Sequence, residues 1–87
     1  MRTFFTKGFK KIYKKRILPH KNLDQRFEER HNLFIQDPKN SLLKDHALTG
    51  SKKGLRAFSI TGDIRVVYYI KANTAYFIDI GTHNQVY

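Results

Sequence analysis

The stretch LRAFSITGDIRVVYYIKANTAYFIDI, residues 55–80, decides the fold of this chain. Three runs, Leu55–Ile60, Ile64–Ile70 and Ala75–Ile80, are rich in β-branched and aromatic residues and alternate at period two. Thr61-Gly62-Asp63 and Ala72-Asn73-Thr74 punctuate them, which predicts a three-stranded antiparallel meander. Phe58, Ile60, Ile64, Val66, Tyr68, Ile70, Tyr76, Ile78 and Ile80 share one parity and are expected to face the core. Opposed residues in an antiparallel pair share a face. The expected pairs are therefore Phe58 with Val66, Ile60 with Ile64 and Tyr68 with Ile78, with a three-residue loop at each turn. The same register puts Ser59 opposite Arg65 and Asp63 opposite His83, gathering Ser59, Asp63, Arg65, Asp79 and His83 on the other, polar face. A slip of one residue would undo that grouping.

Outward from the meander, the N-terminal half reads as one strand and two helices. Arg2–Thr6 is short, β-branched and aromatic. Thr6 supplies an N-cap oxygen for a helix whose apolar positions are Phe9, Ile12, Tyr13 and Ile17, with Lys10, Lys11, Lys14 and Lys15 on the opposite side. Pro19 ends it near Leu18. Leu23, Phe27, Arg30 or His31, and Phe34 predict a second helix from about Asn22 to Gln36, stopped by Asp37-Pro38. Residues 38–53 read as loop. The expected architecture is α+β: an N-terminal strand and a two-helix hairpin packed on one face of a C-terminal antiparallel β-meander, in a single domain over residues 1–87.

Composition narrows the function. With 17 Lys+Arg against 7 Asp+Glu the chain carries +10, and 40% apolar residues suffice for a core, so the charge is no mark of disorder. The absence of cysteine excludes disulfides and Cys-ligated metals. No apolar run approaches the roughly 18 residues of a membrane span, and no signal-peptide h-region follows the basic N-terminus. A cytoplasmic protein with a polyanionic partner is the expectation. The charge falls in two patches, one in residues 1–22, which hold eight cations and no acid, the other in residues 38–56.

A His, an Asp and an Arg on the exposed face of a basic domain suit RNA cleavage. A base takes the ribose 2′ proton, an acid protonates the leaving 5′ oxygen, and a cation stabilises the charge developing on phosphorus. Histidine titrates near neutrality and serves either proton transfer, and the arginine fork serves the phosphate. Each residue also has a plain alternative: Asp63 as turn chemistry, Arg65 as the partner of Asp79 or Asp63, Tyr87 as a frayed end, the lysines as a solvated face. His20 and His31 are read as loop and helix residues without a catalytic part.

Three further motifs bear on this: Asp45-His-Ala-Leu-Thr-Gly50, Lys53-Gly-Leu-Arg56 and Gly81-Thr-His83, with Gly62-Asp-Ile-Arg-Val-Val-Tyr68 between the last two. Together they resemble the RelE/YafQ family of toxins from bacterial type II toxin–antitoxin modules, over nearly the whole chain. The resemblance implies a RelE/ParE-like fold and a metal-independent endoribonuclease, an mRNA interferase that acts on the 70S ribosome and is held by a cognate acidic antitoxin. By position it makes His46, Asp63, Arg65, His83 and Tyr87 the catalytic set. Lys52, Lys53 and Arg56 would hold RNA backbone, and Lys10, Lys11, Lys14 and Lys15 ribosomal RNA. Ser59 and Ile64 stand where the YafQ branch carries a histidine and a tryptophan, whereas Arg65 matches the RelE version of its strand. Acid and base roles are thus left open between His46 and His83. Neither a cofactor, a metal, a membrane nor a small-molecule ligand is expected. A ParE-like inhibitor of gyrase and a non-catalytic RNA-binding toxin are the alternatives.

Overall fold

The computed structural model describes residues 1–87. Strand β1 (Arg2–Phe5) leads into helix α1 (Lys7–Arg16) and helix α2 (Lys21–Gln36). After two 3-10 turns and a two-residue strand, β2 (His46–Ala47), come β3 (Arg56–Ser59), β4 (Ile64–Lys71), β5 (Thr74–Thr82) and a short helix α3 (His83–Val86). The five strands form one sheet in the order β1-β5-β4-β3-β2. The meander is antiparallel, and β1 adds to its far edge parallel to β5, Phe5 opposite Phe77.

α1 starts where Thr6 Oγ1 accepts from the Phe9 amide at 3.2 Å, a cap that satisfies one of the free N–H groups of the first turn. The Tyr13 hydroxyl donates to Asp24 Oδ1 at 2.5 Å and ties α1 to α2. The apolar faces of both helices cover one side of the sheet. Phe9, Phe27 and Phe34 join Phe58, Tyr68 and Phe77 in the main core, where Phe34 stacks on Phe58 with centroids 4.5 Å apart. We call this the inner face and the other the outer face.

The expected register holds near Arg65 and fails further along. Phe58 lies opposite Val66 and Ser59 opposite Arg65, and on the other side Val66 faces Ile80 and Arg65 faces Gly81. The ladder ends at Ile64 and Thr82, one step before Asp63 and His83, because His83 opens α3. Beyond Val67 a bulge leaves Ile78 unopposed, so Tyr68 pairs with Phe77 and not with Ile78. The turn is correspondingly two residues, Ala72 and Asn73, at φ +50° and +64°. Left-handed residues of that kind make the turn whose twist matches a hairpin, and the bulge absorbs the extra residue. Phe77 and Ala75 therefore enter the core in place of Tyr76 and Ile78, while Ile70 is 47% exposed. Residues 38–53, expected as loop, contain β2, which lies antiparallel to β3.

The outer face is likewise not simply polar. Ala57 and Val67 are buried there beneath Val86 of α3, with Leu48, Leu55 and Ile78 packed around them. Gly81 lets α3 fold back so closely: a β-carbon there would lie 2.5 Å from Gln85 Oε1, the atom that accepts from the Thr82 amide. No helix is long and apolar enough to cross a membrane.

Candidate active site

Arg65 projects from β4 on the outer face, and its guanidinium has no carboxylate partner within 4 Å. The pairing with Asp79 that its neighbourhood in the sheet suggested does not form. Arg16 of α1 takes Asp79 instead, Nη1 to Oδ1 at 3.3 Å, and also donates to the Ile80 carbonyl at 3.1 Å. What Arg65 meets is a long 3.5 Å contact from Nη1 to the Asp63 carbonyl and, 5.8 Å from its Cζ, the ring of Tyr87. A planar cation over an aromatic face is attracted by the ring quadrupole. The fork stays available to an incoming anion.

Tyr87 links the site's parts. Its amide donates to the His83 carbonyl at 3.0 Å. Its ring stands at 88° to the His83 imidazole, centroids 4.6 Å apart. Far from fraying, the last residue is held by one turn of helix. Burial raises the pKa of its hydroxyl and Arg65 opposes that shift in part, so the phenol is protonated at neutral pH and able to donate. The same ring lines an outer-face cleft of about 350 Å³ with His46, Leu48, Thr49 and Lys52. Tyr87 thus adjoins Arg65, His83 and the cleft that holds His46.

His46 is exposed at the sheet edge, its Nδ1 3.0 Å from the Lys44 carbonyl. A carbonyl only accepts, so Nδ1 carries the proton of the neutral ring and Nε2 is left with a free lone pair. His83, one turn before the C-terminus, is exposed and makes no side-chain hydrogen bond, and the same holds for the carboxylate of Asp63. Asp63 instead sits in a turn closed by Thr61 Oγ1, which accepts from the amides of Asp63 at 3.2 Å and Ile64 at 3.0 Å. Asp63 and His83 are near in register but not bonded.

Of the expected RNA-holding cations, Lys52 is half-buried in the cleft beside His46 and Lys53 is exposed next to it. Arg56 is committed elsewhere: its Nε and Nη2 donate to Asp45 Oδ1 at 2.8 and 2.6 Å. Arg56 therefore meets any RNA as one half of an ion pair, its side chain 40% exposed. Lys10, Lys11, Lys14 and Lys15 are exposed on α1, across the sheet from the Arg65 site; Lys10 and Lys14 border an apolar groove between the two helices. No three His, Asp or Glu side chains converge as a metal cage would require.

Sequence reasoning missed the Asp45–Arg56 pair and α3. Thr82-His-Asn-Gln85 carried a signal for the helix, since Thr followed three residues later by Gln is the pattern of a capping box.

With the geometry established, comparison with known proteins places the chain. The family model for the bacterial toxin of type II toxin–antitoxin systems, YafQ, matches residues 1–87. The chain belongs to the YafQ toxin family. Among solved structures it is similar to YafQ from E. coli strain BL21(DE3), with a TM-score of 0.80 at 24% identity, covering 100% of this chain and 99% of that one. YafQ in the E. coli DinJ–YafQ complex is similar to the same degree, with a TM-score of 0.78, 24% identity and the same coverage. A metal-bound toxin from Helicobacter pylori reaches 27% identity and a TM-score of 0.75 over 100% of this chain and 99% of that one. Among curated proteins nothing matches the sequence.

Proposed function

We propose that this YafQ-family toxin is an mRNA endoribonuclease that works on the 70S ribosome. The observation that carries the reading is the guanidinium of Arg65, free of any carboxylate and set against Tyr87, with His83 against the same ring and His46 in the adjoining cleft. In the proposed reaction the ribose 2′ oxygen attacks the neighbouring phosphorus and the P–O5′ bond breaks. The products are a 2′,3′-cyclic phosphate and a 5′-hydroxyl end. His83 and His46 exchange the two protons as general base and general acid. Arg65 holds the non-bridging oxygens as their charge grows. Tyr87 donates its hydroxyl or stacks on a base, an interaction worth about 1–3 kcal/mol. Asp63, free of any side-chain partner, serves as an acceptor for a substrate N–H or hydroxyl at the rim. Lys52 and Lys53 follow the RNA backbone, and the lysines of α1, on the opposite side of the sheet, dock on ribosomal RNA.

The +10 charge also supports a cognate acidic antitoxin, as a partner whose charge complements the toxin's; DinJ and YafQ form a complex in E. coli. Mapping mRNA ends on programmed ribosomes tests the reading. Wild-type protein should leave 2′,3′-cyclic or 3′-phosphate ends, and His83→Ala should not. Equal cleavage by His83→Ala, or gyrase inhibition with translation untouched, would sink it.

A further inference from the structure

Arg56, bound to Asp45, also has a structural place in the molecule. It pairs across the ladder with Tyr68, so both side chains lie on the inner face. Between them sits Asp45, its side chain only 9% exposed. Oδ1 takes the two N–H groups of the Arg56 fork, and Oδ2 accepts from the Tyr68 hydroxyl. The Tyr68 ring is fixed in turn by Phe34, Phe58 and Phe77. The hydroxyl is therefore a rigid post, held protonated by burial first and by its hydrogen bond to Asp45 second.

The next residue along the chain is His46. Side chains alternate across a strand, so at the start of β2 the Asp45 carboxylate is anchored toward the core while His46 is turned away from it. Lys44, on the other side of Asp45, is left-handed at φ +50°, and its carbonyl is the group that receives His46 Nδ1. β2 is two residues long and has a single neighbour, β3. Its own ladder cannot fix a side chain with the accuracy that proton transfer needs. Nor is net stability a sufficient reason for the network, since a buried ion pair commonly contributes no more than an apolar substitute of similar shape.

We propose that Asp45, Arg56 and Tyr68 are positioning residues for His46, locking β2 and the Lys44 carbonyl so that the imidazole keeps its proton on Nδ1 and offers Nε2 to the cleft. The consequence for cleavage rests on the endoribonuclease reading, whereas the tautomer does not. Two measurements separate them. ¹⁵N shifts of the His46 ring in the free protein report the tautomer. Single-turnover cleavage on programmed ribosomes, as a function of toxin concentration, splits rate from affinity.

Tyr68→Phe keeps the ring in the core and removes only the hydroxyl. It should shift the His46 ring from the Nδ1–H form toward a mixture of tautomers and slow the step about tenfold, because small misplacements of a reacting group cost rate, with ribosome affinity unchanged. Asp45→Asn should do more, and Arg56→Lys less, since lysine keeps charge but not the fork. An unchanged tautomer in all three variants overturns the proposal, as does a tautomer shift with cleavage at the wild-type rate. Should the wild type itself cut no RNA, the proposed function falls, and the ¹⁵N shifts still decide whether this network sets the His46 proton.

Discussion

The two faces of one sheet are built on opposite plans. The inner face buries a cluster of 13 residues, five of them Phe. The outer face buries an apolar cluster of only three, Ala57, Val67 and Val86, and carries Arg65, Tyr87 and the cleft of His46. Aromatic packing on one side makes the sheet stiff enough for the other to carry cations and imidazoles that stabilise nothing locally. The lesson is a division of labour across a layer one strand thick: stability should respond chiefly to inner substitutions and RNA cleavage to outer ones, with the Asp45–Arg56–Tyr68 network the inner exception that reaches His46.

The hardest blow to that division is Phe77→Ala, which removes a ring in contact with Phe5, Phe9, Phe34 and Phe58. It should cost about 3–5 kcal/mol by denaturant titration, enough to unfold much of the population. Next comes Arg65→Ala, expected to reduce cleavage on the ribosome about 100-fold or more while moving stability by no more than roughly 0.5 kcal/mol. A comparable loss of stability would show that the outer face also holds the fold together.

A pH experiment sharpens the contrast further. His31 sits among Phe5, Phe27 and Phe77 with Nε2 2.8 Å from Thr3 Oγ1. Burial lowers its pKa below the ordinary 6.5. The unfolded chain then binds that proton first as pH falls, so the contribution of His31 to stability is full above about 6.5 and is lost on acidification toward its folded pKa. His31→Asn should flatten that part of the melting profile; an unaltered profile would remove His31 as the cause. The smallest effect is expected from Gly81→Ala. The new methyl meets the ends of two flexible side chains, Gln85 Oε1 at 2.5 Å and Arg16 Nη1 at 2.9 Å, which can swing aside, and Gln85 Cβ at 3.1 Å, for which α3 must give by a few tenths of an ångström. Its cost should stay under about 1 kcal/mol, with a visible loss of order at Tyr87 by NMR.

Much of this architecture was legible in the sequence, and the failures have local causes. Ile64, Val66 and Ile80 are flanked by Asp63, Arg65 and Asp79, so polar neighbours fixed the register at the end where Arg65 lies. Tyr76, Phe77 and Ile78 offer no such contrast: three apolar residues in a row fit either parity, and the bulge decides among them. β2 is too short to show a period. The bond between Asp45 and Arg56 joins residues eleven apart through a fold that neither announces. In the candidate site, Arg65 was placed correctly because it belongs to the well-patterned part of the meander. The nearness of Tyr87 to both Arg65 and His83 depended on α3, whose capping pattern spans only four residues.

The parallel pairing of β1 with β5 bears on the order in which the chain folds. Arg2–Phe5 finds its partners only at Thr74–Phe77, so the first strand made is among the last to be paired. Such sequence-distant contacts carry a loop-closure entropy that local helices do not. The helical hairpin can form early, but β1 stays unpaired until Thr74–Phe77 is available. A chain that stops before Thr74 leaves the amides and carbonyls of β1 without their ladder, so this edge of the sheet closes late in folding.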